Sequence, residues 1–510
     1  MNFPDISQAE PGILAQQPDA AEKPVLALVA GLCRLLSEEG IAWCHWKSNN
    51  ALDRSASGEN DLDLLVSRAH LPQFTAILSR LEFKQAIAGP EKEMIGVMDY
   101  YGHDRPSGRL VHVHAHCQLV MGHDMTKNYR LPVEAAYLDS AVQAGLFRIP
   151  APEFEYVVLI IRMVLKHATW DVLFSSDRKL KKSERGELDD LRARVDPGRV
   201  RKILEDSLPQ VPPALFEDCA AALQAGASLV FRARTAQRLQ HAMEAQARLP
   251  LGMDVIQKMW NRGVKAIKRR FTKSGSRHRL SGGGAMIAIV GGDGAGKTTT
   301  VESLYAWLSR DFNAIRVHLG KPPESAATRV IRALLRVGQL IGLYPHLNSA
   351  SPYLSGSTSQ MRAKGRLPWM IREACKARDR RLAYVRARRF ANRGGLVICD
   401  RFPLPQVRLM DGPVTAQIAG ENAGSFARRL IEFEMRQYQR ITPPDLAIVL
   451  RLDPEEAVRR KTTEDQAQVR ARSTEIWQAD WTSAGVHLID AACPREEVLS
   501  LVKSLVWSQL

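Results

Sequence analysis

The sequence predicts an α/β protein in two halves. The C-terminal half, 285–510, reads as a P-loop three-layer αβα domain with a parallel sheet, and the N-terminal half as an α+β domain with a helical extension. Three observations carry this reading. From Ala285 onward, apolar runs of strand length alternate with segments of helical spacing, the pattern of a sheet covered on both faces. A glycine-rich turn follows the first of these runs. Between 25 and 150, short alternating runs stand among helical ones, and from Ala151 to Leu249 the spacing is helical throughout.

At 510 residues the chain exceeds a single core, given roughly 150 residues per domain. Its 45% hydrophobic content is that of a folded protein. Seven cysteines, odd in number and scattered without a C-x-x-C pair, argue against a disulfide framework or a zinc knuckle. No apolar run approaches the ~20 residues that span a bilayer, and no leader pattern opens the chain, so a cytoplasmic protein is expected, soluble or at most peripheral. The formal charge of +16 suits polyanionic partners: nucleotides, nucleic acid or an anionic membrane face.

In chain order, 1–24 is rich in Pro, Ala, Gln and Asp and reads as a flexible tail. Leu26–Leu36 is a helix ended near Gly40, and Ile41–Trp46 a strand. Asn60-Asp-Leu-Asp-Leu-Leu-Val66 alternates, placing Asp61 and Asp63 on one strand face, where two carboxylates can share a divalent cation. In Leu110-Val-His-Val-His-Ala-His-Cys-Gln-Leu-Val120, His112, His114 and His116 also line one face. That face is a solvated edge, a transition-metal site, part of a catalytic site for nucleotidyl transfer, or part of a scaffold that binds a ligand or partner.

The segment 151–250 is the helical extension, with Phe154–His167 as its core helix. The segment 251–284 follows as a basic amphipathic helix over Met253–Leu280, closed by the linker Ser281-Gly-Gly-Gly284. Residues 255–279 fit an anionic membrane surface, a nucleic acid or a solvated connection.

Gly291-Gly-Asp-Gly-Ala-Gly-Lys-Thr298 satisfies G-x-x-x-x-G-K-[ST] between a strand and a helix. The glycines let backbone N–H groups turn inward on the phosphates of a nucleotide, and the next helix presents its N-terminus to them. Lys297 supplies a charge for the β and γ phosphates and Thr298 a hydroxyl for Mg²⁺. Gly291, Gly292, Asp293, Gly294, Ala295, Gly296, Lys297, Thr298 and Thr299 are therefore the expected ATP contacts. Leu396-Val-Ile-Cys399 is a buried strand ending in Asp400-Arg401, a carboxylate placed for Mg²⁺ and an arginine placed for a phosphate.

Two resemblances add to this. Lys47-Ser48, a loop and Gly58–Val66 resemble the nucleotidyltransferase fold over 25–150, in which an Asp-x-Asp holds Mg²⁺ and a nucleoside triphosphate. Here Lys47 replaces the family's glycine, and its third carboxylate has no obvious counterpart on a later strand. The second covers the chain from Ala285. The glycine loop, Asp379-Arg380, Asp400-Arg401-Phe402, Pro444-Asp-Leu446 with Asp453-Pro454, and Ile489-Asp-Ala491 resemble thymidylate kinase and related nucleoside monophosphate kinases.

That resemblance implies an ATP- and Mg²⁺-dependent phosphotransferase. Lys297, Asp400, Arg401 and Arg460 would be catalytic, Asp293 would face the acceptor, Arg401 would hold its phosphate, and Arg459, Arg460 or Lys461 would begin a lid. Metal would rest on Thr298 and Asp400, and on Asp61 and Asp63 in the first domain. Lys321 stands in for the family's arginine, and the sequence after Phe402 differs, so the acceptor pocket is rebuilt. The expected partner is a small-molecule acceptor, with nucleoside monophosphates among the candidates, and a homodimer is allowed. The alternative is a nucleotidyltransferase controlled by an ATP-binding switch domain.

Overall fold

The computed structural model describes residues 24–89, 94–173, 179–271, 277–343, 363–419, 423–482 and 485–510. The tail up to residue 23 and most of the Ser, Pro and Gly-rich stretch before Pro368 lie outside them.

The N-terminal half is built on strands β1 (Trp43–His45), β2 (Leu62–Val66), β3 (Lys84–Ile87), β4 (Val97–Asp104) and β5 (Arg109–His116). Two small hairpins follow, β6 (Leu119–Met121) with β7 (Tyr129–Leu131) and β8 (Val142–Ala144) with β9 (Phe147–Ile149). The main sheet is mixed and runs β1-β2-β5-β4-β3, with β10 (Arg279–Leu280) added at its far edge. Alternation along β2 sends Leu62, Leu64 and Val66 into a core shared with Val29, Leu32 and Leu36 of the helix Ala27–Glu38, and with Phe74 and Ile77 of the helix Leu71–Arg80. The opposite face keeps the polar side chains. Parallel pairing of β2 with β5 sets Asp63 beside His114, and antiparallel pairing of β4 with β5 sets Asp99 on the other side of His114.

The helix Pro152–His167 is apolar almost all round, which fits a helix enclosed by others. Leu188, Leu191, Val200, Leu204, Leu215, Phe216 and Leu239, from the helices Lys182–Arg194, Pro197–Ser207, Pro213–Ala222 and Leu229–Ala242, share one core with it.

The next helix, Leu251–Phe271, stops short of the predicted end. Residues 272–276 lie outside the described chain, and Arg279–Leu280 pairs with β3 instead of continuing a helix. This helix is also turned against the usual rule. Lys258 and Asp254 are buried in an ion pair of 2.8 Å, with Asp171 3.2 Å from Lys258, while Ile256, Met259, Trp260 and Ile267 are exposed. No helix among the described residues is long and apolar enough to cross a membrane.

The C-terminal half holds β11 (Ala285–Gly291), β12 (Ala314–His318), β13 (Leu396–Asp400), β14 (Leu446–Arg451) and β15 (Val486–Asp490), all parallel, in the order β12-β13-β11-β14-β15. Its three central strands, β13, β11 and β14, are near-continuous apolar runs because both faces are covered, whereas the edge strands β12 and β15 carry Arg316, His318 and His487 and are only partly buried. Ile287 and Ile289 of β11 pack with Val301, Leu304 and Val502, whereas Met286, Ala288 and Val290 pack with Ala383, Tyr384 and Ile476. The chain leaves β11 for one side of the sheet and later returns to the other, which opens a crevice at the carboxyl end of β11.

The two halves share a core. Tyr101, Leu110 and Leu280 belong to the same apolar cluster as Phe312 and Trp507, and Trp507 donates its indole N–H to the carbonyl of Glu82 at 2.9 Å.

Candidate active sites in the two halves

The glycine loop lies in the β11 crevice. Gly294 and Gly296 have φ of +77° and +80°, and Gly296 caps the helix Lys297–Leu308. A Cβ on Gly291 would stand 2.6 Å from the carbonyl oxygen of Leu450, and one on Gly292 would stand 2.8 Å from Oγ of Ser473. Lys297 is buried and donates from Nζ to the carbonyl of Gly292 at 2.6 Å. Burial lowers its pKa to about 8, opposed by the charge of Asp293. Thr298 is exposed at the loop.

Asp293 is buried and held by two arginines, Arg472 at 3.0 Å and Arg401 at 3.7 Å. Burial pushes its pKa up, but the Arg472 hydrogen bond and the charges of Lys297, Arg472 and Arg401 outweigh this and hold it below the usual carboxylate range. Asp400 closes β13 with one carboxylate oxygen buried and unpartnered among the described residues, and His318 stands 3.9 Å from the other. Arg401 follows with φ of +60°, a left-handed conformation that costs a non-glycine residue on the order of 1 kcal/mol or more.

Beside the loop opens a cavity of about 520 Å³, lined by Lys321, Arg332, Arg372, Lys376, Arg401 and Arg472 and also by the carboxylates Glu324, Glu373, Asp379 and Asp411, of which Glu324 pairs with Arg332 and Glu373 with Lys376. Trp369 supplies an apolar side. Arg380 shapes its floor. It is 1% exposed and donates to the carbonyls of Leu319 at 2.7 Å and Asp411 at 2.8 Å, and also to the hydroxyl of Tyr438.

Of the residues expected here, Asp293, Lys297, Asp400 and Arg401 converge. Arg460 stands next to Gly294 but is bound to Glu456 at 2.9 Å and to the carbonyl of Ala491 at 3.1 Å. Arg472, on the helix Gln466–Gln478, comes closer to the loop carboxylate than Arg401 does, and its mark in the sequence is the pair Arg470 and Arg472 in an otherwise polar stretch.

In the N-terminal half a cavity of about 710 Å³ is lined by Asp61, Asp63, Asp99, His112, His114, His116 and His278. Each aspartate of the Asp-x-Asp meets a different imidazole of β5: Asp61 lies 2.9 Å from Nδ1 of His112, and Asp63 lies 3.1 Å from Nδ1 of His114. Lys47 completes an ion pair with Asp63 at 2.8 Å. Burial pushes the Asp63 pKa up, but Lys47, His114 and His116 together hold it well below the normal range. Burial opposes the charged form of His112, yet its hydrogen bonds to Asp61 and Asp99 win and raise its pKa to about 9.

Asp99 supplies to this cavity a third carboxylate, which had no obvious counterpart in the sequence. It was missed because β4 is buried along its second half on both faces and shows no clean alternation, although Asp99 and Tyr101 share one face. His278 was read as part of the basic helix, and the fold brings it to this cavity instead.

No family model matches the chain. It is similar to the uncharacterized ATP-binding protein YghR of Escherichia coli strain K12, 29% identical over 227 residues, which are 43% of this chain and 86% of that protein. YghR of strain CFT073 matches to the same extent, and the uncharacterized ATP-binding protein YghS of strain K12 is 26% identical over 42% of this chain and 89% of its own length. Among solved structures, thymidylate kinase from Candida albicans covers 44% of this chain and 92% of itself at 16% identity, with a TM-score of 0.28. The chain is thus an α/β protein, similar over part of its length to ATP-binding proteins, whose C-terminal half is a three-layer αβα domain of P-loop type.

Proposed function

We propose that the C-terminal half binds Mg-ATP on the glycine loop and transfers its γ-phosphoryl group to a small phosphorylated acceptor seated in the 520 Å³ cavity. One observation carries the reading: Arg401 and Arg472 line that cavity and also grip Asp293 of the loop, so donor and acceptor sites share a wall.

The residues fit the group. Gly291 and Gly292 pack too closely on Leu450 and Ser473 to carry a side chain, Gly296 faces open space with a positive φ, and Asp400 keeps a buried oxygen without a partner among the described residues. The loop's N–H groups and the N-terminus of the helix Lys297–Leu308 would hold the phosphates, with Lys297 exchanging the Gly292 carbonyl for them. Thr298 and Asp400 would hold Mg²⁺. Bound Mg-ATP supplies the phosphoryl group and offsets part of its charge.

The chain's own contribution is positional and electrostatic. Arg401 and Arg472 bind the acceptor phosphate bidentately, Trp369 takes an apolar or aromatic part of the acceptor, and Asp293 orients it. Arg460, on leaving Glu456, and Lys461, on leaving Glu464, are further cations beside Gly294. The excess of basic over acidic side chains lining the cavity favours a phosphorylated acceptor over a neutral one.

The test is ADP release by the full chain with Mg-ATP across nucleoside monophosphates, sugar phosphates and unphosphorylated nucleosides, with product masses read directly. A phosphorylated product from one phosphorylated class supports the reading. ATP binding with turnover indifferent to every acceptor contradicts it.

A further inference from the structure

The 710 Å³ cavity of the N-terminal half shares no lining residue with the 520 Å³ cavity, and its wall is built as a ligand set. We propose that Asp99, His112 and His278 bind one divalent first-row transition-metal ion, with Zn²⁺ as the fitting probe, at a site assembled from the N-terminal sheet and the segment that leads into the C-terminal half.

Donor geometry is the first argument. Nε2 of His112 lies 2.9 Å from one oxygen of Asp99, and Nε2 of His278 lies 3.6 Å from the other. The three donor atoms fall within 4.8 Å of one another. Ligands held about 2.0–2.2 Å from a tetrahedral zinc stand roughly 3.3–3.6 Å apart, so a small adjustment closes the set.

Support behind the ligands is the second. A metal-binding imidazole holds its other ring nitrogen on a hydrogen-bond partner, which fixes the tautomer that leaves the coordinating nitrogen bare. Both imidazoles have such a partner, and at His112 the proton that Nε2 shares with Asp99 leaves as the ion binds. Nδ1 of His112 lies 2.9 Å from Asp61, and Nδ1 of His278 lies 3.1 Å from the hydroxyl of Tyr101. Tyr101 also stacks on the His112 ring at 4.4 Å with 7° between planes, which sets the ring's orientation.

The adjoining trio of Asp63, His114 and His116 is the weaker ligand set. There the carboxylate already carries Lys47 at 2.8 Å, so an ion would compete with a resident cation. Within the first set, no lysine or arginine is paired with Asp99 among the described residues. Two imidazoles and one carboxylate match the three-ligand pattern that leaves a fourth position for water or a substrate, and the cavity gives access to it. Two nitrogen donors favour a transition metal over Mg²⁺.

His278 makes the site a link between the halves. Its backbone N–H donates to the carbonyl of Asp311 at 3.0 Å, and its own carbonyl accepts from the N–H of Asn313 at 2.9 Å, in the segment entering β12. A metal on His278 therefore ties that segment to β4 and β5.

The experiment uses the full chain, stripped with a chelator and then dialysed against Zn²⁺ or Co²⁺. Metal content is measured by mass spectrometry, the cobalt form by its visible absorption, and thermal unfolding with and without metal. One equivalent per chain is expected, with tetrahedral cobalt bands and a metal-dependent rise in the unfolding temperature. His278→Gln and Asp99→Asn should lose the equivalent and the rise, and Tyr101→Phe should keep the equivalent but weaken it about tenfold. Lys297→Ala should bind metal as the wild type does. Variants that unfold at the same temperature as the metal-free wild type are thereby shown to be folded. The proposal is overturned by substoichiometric metal, by an equivalent that survives His278→Gln but not His116→Gln, or by Mg²⁺ displacing Zn²⁺ at equal concentration.

Discussion

Glu155 offers the clearest quantitative prediction. It lies in the core helix of the helical extension, 5% exposed, and accepts a hydrogen bond at 2.9 Å from Asn49, whose side-chain oxygen meets His45 at 2.7 Å. These contacts hold the Ser48–Ala51 turn, three of whose residues line the 710 Å³ cavity. Burial, which dominates, and the nearby Glu187 raise the Glu155 pKa from 4.5 to about 7, against Asn49 and Arg162. At about 1.4 kcal/mol per pH unit, the ionised carboxylate costs the fold about 3 kcal/mol. The folded-state value is the higher one, so this stability is fully present below pH 4.5, declines as the unfolded chain ionises, and is lost by about pH 7.

Glu155→Gln mimics the protonated acid and keeps an oxygen for Asn49. It should match wild type near pH 4 and exceed it by about 3 kcal/mol above pH 7. Denaturant unfolding of the two proteins between pH 4 and 9, at equal m-values, measures the difference. A difference that is flat with pH, or a wild type more stable above pH 7, would refute the argument and make Glu155 a charged partner of Arg162.

Other outcomes follow from the C-terminal site. Arg380→Met strands the carbonyls of Leu319 and Asp411 and leaves Asp411 without its guanidinium. It should destabilise that half by about 3–5 kcal/mol, read as an earlier unfolding transition. Gly292→Ala sets a Cβ against Ser473, so nucleotide affinity should fall at least tenfold while the circular dichroism spectrum is unchanged. Because free Lys297 titrates at about 8, ATP affinity should weaken as the pH rises through that value, by at most tenfold per unit, in calorimetric titrations.

The legible parts of the chain were those whose local pattern and tertiary environment agree. Ala285–Gly291 and Leu396–Asp400 read as buried strands because they are covered on both faces, and the glycine loop read as a tight strand-to-helix turn because its glycines answer to backbone geometry. The helix Pro152–His167 was legible for the same reason.

What failed to show depends on distant partners. Asp99 belongs to a strand without a period-two signal, and its role comes from pairing with β5. His278 leaves a basic, helix-like stretch because β3 and the residues before β12 capture its neighbours. Arg472 lies on a helix that buries only Val469, Ser473 and Ile476, too narrow an apolar face to stand out, yet its side chain closes over Asp293. The outward apolar face of Leu251–Phe271 was invisible because a helical pattern carries no direction, and the buried Lys258 pair sets it.

The central claim, that the glycine loop and the arginine-lined cavity form one phosphotransfer site, is tested most directly by acceptor-stimulated ADP release with Mg-ATP in wild type and Lys297→Ala. The account predicts stimulation by a phosphorylated acceptor, a matching phosphorylated product, and a loss of at least a hundredfold in the variant, on the order of 3 kcal/mol of transition-state stabilisation. Equal turnover in the two proteins, or ATP hydrolysis that no acceptor changes, would contradict it.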